Sequence, residues 1–268
     1  MGMPDIDNPS TYDQKDIGDY LELAGRLERN IKDVVAACDY VKGRKHSDKT
    51  MYISMDEYNV IDIIPDDEQN HQEKKLWETG PSGHSRGLSM KSTLLFGLSM
   101  LTLLRHSDRI RIACQSILIN GGGLVMCEGN DDAWVNGSYY IFQHCSLYGR
   151  GKVLEEVQEG TLYNTKTCND VSALDSVCIY HEDEQELDIF VVNKSGEQMD
   201  FTLTPAFFRE LEPIEHLVVT AENPEAHNSA EHKDVIQSVS RNDIISKENR
   251  IQCKLDKYSW NVLRIKER

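Results

Sequence analysis

Two adjacent carboxylates, Asp56 and Glu57, close the short run 50–55 (Thr-Met-Tyr-Ile-Ser-Met) and precede Tyr58-Asn59-Val60. In α/β folds the C-terminal end of a buried strand is where active-site groups project. A carboxylate there can attack an anomeric carbon as a nucleophile, or move a proton as a general acid or base. The competing reading is structural: Asp56 caps a turn and Glu57 is solvated. Other candidates carry less. Gly121-Gly122-Gly123 could cradle a phosphate, but no Lys-Ser/Thr follows it, which favours plain loop. His144 and Cys145 are neighbours on a predicted helix and so point to different faces, as packing residues would. Trp134, Tyr139, Tyr140 and Phe142 could stack on a sugar, yet their helical spacing favours core. The acidic run 181–186 lacks the spaced Asp/Asn and Gly pattern of a calcium loop and reads as a solvated hairpin turn. The seven cysteines, at 38, 114, 127, 145, 168, 178 and 253, contain no C-x-x-C pair. That predicts buried thiols in a reducing cytoplasm, with no disulfide framework, no metal and no cofactor.

The elements that position these residues change character near Gly149. Apolar residues at 17, 20, 21, 24, 27, 31, 34, 35, 38 and 41 predict a helix over 16–42, ended by Gly43 with cations at its C-terminus. A strand over 50–55, a polar excursion over 65–86, a helix over 89–105, a strand over 109–119 and a helix over 137–148 follow. Helices alternating with strands imply parallel pairing. A closed eight-stranded barrel takes about 250 residues, and only two strands precede residue 120, so the arithmetic allows a piece of one. Beyond it, short segments at 173–180, 187–193, 199–203, 215–220, 251–255 and 259–265 predict an antiparallel β-sandwich. Within it, 187–193 enters a hairpin at 194–197, and 222–234 forms a charged, mobile loop. The division expected is residues 1–150 and 151–268.

Composition narrows the partners. Among 268 residues, Asp and Glu number 45 against 29 Lys and Arg, a formal charge of −16, which argues against nucleic acid. The apolar stretch 88–104 is shorter than the ~20 residues a membrane span needs and contains Lys91, so a buried helix is expected. The N-terminus has no basic, then apolar, leader pattern.

The segment Ser54-Met55-Asp56-Glu57-Tyr58-Asn59-Val60 resembles the Asp-Glu-Trp-Asn-Val-Trp-Tyr motif of intracellular α-L-arabinofuranosidases of glycoside hydrolase family 51. Residues 19–23 with 34–42 resemble the helix before the nucleophile strand, and 101–114 the helix and last barrel strand. Residues 146–151 resemble the exit into the C-terminal sandwich, and 258–265 its closing strand. The resemblance implies the C-terminal part of a TIM (β/α)8 barrel followed by a jelly-roll-like antiparallel β-sandwich. It also implies retaining hydrolysis of terminal α-L-arabinofuranosyl units in arabinose-containing oligosaccharides. By position Glu57 matches the nucleophile, and Asp56 a neighbour that holds the local turn.

Departures from the family pattern shape the expectation further. The family's acid/base glutamate follows an asparagine on an earlier strand, whereas this sequence has no Asn-Glu dipeptide and only 56 residues before Glu57. The motif's second tryptophan and its tyrosine become Ile61 and Asp62. A sugar-contacting glutamine falls on Ile117, the asparagine three residues on is kept as Asn120, and Trp-Arg-Gln becomes Trp134-Val135-Asn136. Two readings follow. One is a C-terminal portion that needs a complementary N-terminal fragment or self-association, and is inactive alone. The other is a non-catalytic remnant or a carbohydrate-binding or assembly module.

Overall fold

The computed structural model describes residues 15–60, 88–128, 132–208 and 210–268. Helix α1 spans Ile17–Leu21 and α2 spans Ala24–Arg44, so the single helix expected over 16–42 breaks at Glu22-Leu23. The Asp16 side chain caps α1 by accepting from the Asp19 N–H at 3.0 Å. Gly43 lies inside α2, and Lys45 forms its C-cap. Strand β1 (Ile53–Tyr58) takes in both carboxylates. Helix α3 (Met90–Arg105) is capped by Ser89, whose Oγ accepts from the Ser92 N–H at 3.3 Å. Apart from Lys91, its residues from Met90 to Leu103 are all buried, as a helix apolar all round must be. Strand β2 (Ile110–Gln115) stops short of the expected 119. A hairpin of β3 (Val125–Glu128) and β4 (Asp132–Val135) was not anticipated, whereas α4 occupies Gly137–Tyr148 as expected.

The remaining strands are β5 (Lys152–Val153), β6 (Leu162–Tyr163), β7 (Val171–Ser172), β8 (Leu174–His181), β9 (Glu186–Asn193), β10 (Met199–Leu203), β11 (Leu211–Thr220), β12 (Gln237–Arg241), β13 (Ile245–Lys247), β14 (Arg250–Leu255) and β15 (Ser259–Glu267). A six-stranded sheet, β12-β11-β15-β9-β8-β5, faces a three-stranded one, β10-β14-β13, with every pair antiparallel. The expected sandwich is present. The acidic run 181–186 forms the β8–β9 hairpin turn, as expected. The expected hairpin at 194–197 is not one, because β10 pairs with β14 rather than with β9. Buried Asn193 explains the crossing. Its Nδ2 donates to the carbonyls of Glu197 (2.9 Å) and Asp256 (2.8 Å), and its Oδ1 accepts from the Ser195 N–H at 2.9 Å. The side chain thus turns the strand out of one sheet toward the other.

The loop over 222–234 is docked rather than free. The N–H groups of Met90 and Lys91, which no helical carbonyl can serve, donate to Ala226 (2.8 Å) and Pro224 (2.9 Å). Buried Asn228 completes the anchor through the carbonyls of Val135 (2.9 Å) and Ile236 (2.8 Å).

Strands β9 and β15 are buried on both faces. Leu187, Ile189 and Val191 pack with Ile251, Leu255 and Leu263 between the two sheets. The alternate residues Phe190 and Val192 join Trp260, Val262, Phe96, Leu98 and Ile141 beneath the helices. Two-sided burial is why this stretch reads as a continuous apolar run rather than an alternating one.

His144 and Cys145 are packing residues. His144 Nδ1 accepts from Trp260 Nε1 at 3.1 Å, which leaves Nε2 to donate to Ser238 Oγ at 3.0 Å. The ring is therefore neutral, and burial pushes its pKa down from 6.5 to about 4. A base with a depressed folded value takes up its proton earlier in the unfolded chain. Its stabilising contribution is therefore lost as pH falls from about 6.5 toward 4. Thermal melts over that range should therefore show the Tm of wild type falling relative to that of His144→Asn as pH is lowered. An equal slope in the variant would exclude His144 as the cause.

Candidate active-site strand pair

Strands β1 and β2 run parallel, with Ser54 opposite Ile112, Met55 opposite Ala113 and Tyr58 opposite Gln115. Between the last two pairs, Asp56 and Glu57 together face Cys114, two residues against one. This is a β-bulge, a device that is rare in parallel pairs and that re-aims side chains. Met55 and Tyr58 on either side are buried. The Tyr58 ring stacks on Phe96 of α3 at 6.1 Å, and its hydroxyl donates to Met100 Sδ at 3.3 Å. Burial raises the Tyr58 phenol further above its ordinary value and keeps it a neutral donor. Asp56 and Glu57 are exposed. The expectation of a buried strand ending before the carboxylates is therefore corrected. The strand continues through them, and the bulge turns both outward between two anchoring side chains.

The surroundings of the bulge are built from backbone ties. Asn59 is buried, donates through Nδ2 to the Ser116 carbonyl at 2.9 Å and caps the Val60 N–H through Oδ1 at 2.8 Å. Ser116 N–H donates in turn to the Tyr58 carbonyl at 2.9 Å, locking the exits of both strands together. At the entrances, the Arg109 guanidinium grips Asp39 of α2 in a two-pronged contact (2.7 and 3.0 Å) and the Met51 carbonyl at 3.2 Å. Neither tie was foreseen. Asn59 lies within the motif itself, but its role depends on which carbonyls the fold brings near. Beside Glu57, Ser54 Oγ donates to Asp56 Oδ1 at 2.8 Å. One oxygen of Asp56 is thereby occupied locally.

Of the other positions matched by resemblance, Asn120 and Asn136 hold backbone groups. Ile117 adopts φ 61 and is exposed, a strained conformation for a β-branched residue. Asn120, at φ 56, accepts the Cys127 N–H through Oδ1 at 2.8 Å. Its backbone also closes the turn by accepting from Gly123 N–H at 2.7 Å. A Cβ on Gly123 would lie 2.6 Å from the Ile117 carbonyl, so the glycine is needed for close packing within the turn. Asn136 is fully buried, donating to the Gly123 carbonyl (2.6 Å) and accepting from Leu88 N–H (3.2 Å). Tyr139, Tyr140 and Phe142 pack against the main core. Ile61 and Asp62 lie outside the described residues.

A family profile described as the alpha-L-arabinofuranosidase C-terminal domain matches residues 56–259, a span that begins at the carboxylate pair and ends in the last strand. The chain belongs to this family. It is 33% identical over 250 residues to the intracellular exo-alpha-(1->5)-L-arabinofuranosidase 1 of Bacillus subtilis, covering 92% of this chain and 49% of that one. It is also 33% identical over 254 residues to the like-named enzyme of Acetivibrio thermocellus, covering 94% and 50%. Among solved structures, a family 51 alpha-L-arabinofuranosidase from Bifidobacterium longum superposes with a TM-score of 0.81 at 22% identity, over 93% of this chain and 50% of that one. The fold is therefore shared with half of a family 51 chain. The chain spans about half the length of the curated relatives it matches.

Proposed function

We propose that this chain supplies the nucleophile portion of a retaining α-L-arabinofuranosidase, with Glu57 as the attacking carboxylate. The observation that carries the reading is the presentation of Glu57. It sits exposed in a bulge near the C-terminal end of a parallel strand, beside an Asp56 already bound to Ser54. In this reading residues 1–150 are a partial (β/α) barrel and 151–268 its attached sandwich. The substrate is a terminal, non-reducing α-L-arabinofuranosyl unit of an arabinose-containing oligosaccharide. The names of the relatives support that choice and support a cytoplasmic location. No described helix is long and apolar enough to cross a membrane.

Retention requires two carboxyl groups about 5–5.5 Å apart across the scissile bond. Glu57 would form the glycosyl-enzyme. The second group protonates the leaving oxygen and then activates water. That second group comes from a complementary N-terminal fragment, since a second copy of this chain carries no Asn-Glu dipeptide either. The test is release of nitrophenol from an aryl α-L-arabinofuranoside by the chain alone and by the chain mixed with the N-terminal half of a relative. Alone, no turnover is expected. In the mixture, Glu57→Gln should return the rate to the reagent background, whereas Asp56→Asn, which acts through Ser54, should keep measurable turnover. Equal rates for wild type and Glu57→Gln would reject the assignment.

Ile117 favours a second reading, a module that binds carbohydrate or assembles without catalysing. A branched hydrocarbon cannot hydrogen-bond a sugar hydroxyl, and the Asn120 carbonyl oxygen is already committed to Cys127. Arabino-oligosaccharide binding by calorimetry without turnover in the mixture would select it.

A further inference from the structure

We infer that His216 is a buried imidazolium whose Nδ1 proton latches the crossing between β12 and β13. Loss of that proton releases the crossing. His216 stands on β11 opposite Arg241 of β12 and Leu263 of β15, and its side chain is fully buried. Both ring nitrogens meet acceptors. Nε2 lies 3.1 Å from Asn261 Oδ1, and Nδ1 lies 2.7 Å from Oδ1 of Asp243, which belongs to the crossing. The Asn261 amide is fixed in this orientation. Its Nδ2 donates to Ser259 Oγ at 2.9 Å and to the Val191 carbonyl at 3.3 Å, and reversal would set oxygen against the Val191 and Ser259 carbonyls. A neutral imidazole has one N–H and could serve one of the two acceptors. Asp243 does not supply the second proton, because its side chain is 39% exposed and carboxyl groups are stronger acids than imidazolium. The 2.7 Å separation is that of a charge-assisted bond.

The charges around the ring balance it. Asp243 faces it from the crossing, and Asp256 from the turn between β14 and β15. Arg241 pairs with Asp256 and holds that carboxyl below its ordinary range, with the His216 charge adding to the pull. From β14 comes Cys253, whose thiol burial pushes up to about 12, so it stays neutral. From β10 come the apolar Met199, Phe201 and Leu203, and β13 turns Ser246 to the Leu211 carbonyl. Of the two ring protons, the one on Nδ1 is the cheaper to lose. Asp243 can turn to solvent, whereas Asn261 is fully buried and would be left without its donor. A bare Nδ1 then opposes a carboxylate, and residues 242–244 leave β11.

The experiment is ring-nitrogen NMR of isotope-labelled histidine in the full chain, with His216 assigned through the backbone. Wild type should show protons on both His216 ring nitrogens at neutral pH. Asp243→Asn should show one, because the new amide can turn and donate to Nδ1. A second readout is tryptic cleavage after Arg241, taken relative to a free peptide spanning 237–247 so that the protease's own pH dependence cancels. Between neutral and alkaline pH this ratio should rise about 10-fold in wild type, as the undocked population grows, and stay flat in Asp243→Asn. A wild-type ring with a single proton at neutral pH overturns the inference. So does a cleavage ratio that is flat in wild type, or that rises equally in both proteins.

Discussion

Trp260→Ala is expected to lower the unfolding free energy by about 3–5 kcal/mol, the range for emptying a buried aromatic site. Trp260 is fully buried on β15, with its ring centroid 5.7 Å from that of Phe190. It also donates to His144 Nδ1, so the truncation would leave that buried acceptor without its donor in addition to opening a cavity. The indole is held by a complementary gap in the facing helix. A Cβ placed on Gly97 would lie 2.8 Å from Trp260 Cε3 and 3.3 Å from Ile141 Cδ1. Gly97→Ala alone should therefore destabilise despite alanine's better helix propensity of about 1 kcal/mol. In the Trp260→Ala background the clash disappears, and the same change should become neutral or favourable. Urea titration of the four proteins in this cycle measures the coupling. Additive effects would show that the indole and the helix do not share this space, and a loss below about 1 kcal/mol for Trp260→Ala would contradict its place at the centre of the core.

Removing Arg264 should cost about 3 kcal/mol near pH 8, because it would leave carboxylates without their cation in a mostly buried setting. The guanidinium on β15 meets Glu186 at 2.9 Å through Nε and Glu215 at 3.4 Å, and lies 4.3 Å over the Tyr148 ring. Its Nε is 3.6 Å from Oδ1 of the almost fully buried Asp188. On the other side His181 Nε2 reaches Asp188 Oδ2 and the Tyr148 carbonyl, both at 3.0 Å. Burial, with the Glu186 charge beside it, holds the Asp188 carboxyl well above its ordinary 3.8. A carboxyl with a raised folded value binds its proton more tightly in the native state. Its contribution is full below about 3.8 and is lost as pH rises through about 8. Arg264→Leu should thus be least harmful in mild acid and most harmful in mild base. Above about pH 6.5, where the His144 contribution is constant, Asp188→Asn should flatten the decline of Tm as pH rises toward 8. A variant of Arg264 whose penalty is independent of pH would show that the lost stacking on Tyr148 outweighs the charges.

Much of the architecture was legible from local chemistry. Ser89 followed by a run apolar on all sides specifies both the start of α3 and its burial from Met90 to Leu103, Lys91 apart. The segment Gly137–Tyr148 and most sandwich strands lie where periodicity and turn residues put them. Gly43 misled by a single residue, since α2 continues to Arg44 with open space around the glycine. The loop over 222–234 misled because its charges suggested solvent. Its backbone carbonyls instead serve the unpaired N–H groups opening α3, a demand that arises only once the two segments meet.

At the site, the residue types around 56–60 determined by themselves that two carboxylates would stand at the end of a strand, and the resemblance of the motif singled out Glu57. Only the tertiary structure decided how the two are presented. The parallel register to β2 creates the bulge, and Ser54 then engages Asp56. Likewise, Asn59 and Asn120 are polar in any reading, but whether an amide faces a ligand or a carbonyl depends on segments distant in the chain. Periodicity records which side of an element is apolar. Pairing register, and the partner of each polar atom, are long-range quantities that exist only after the strands have met.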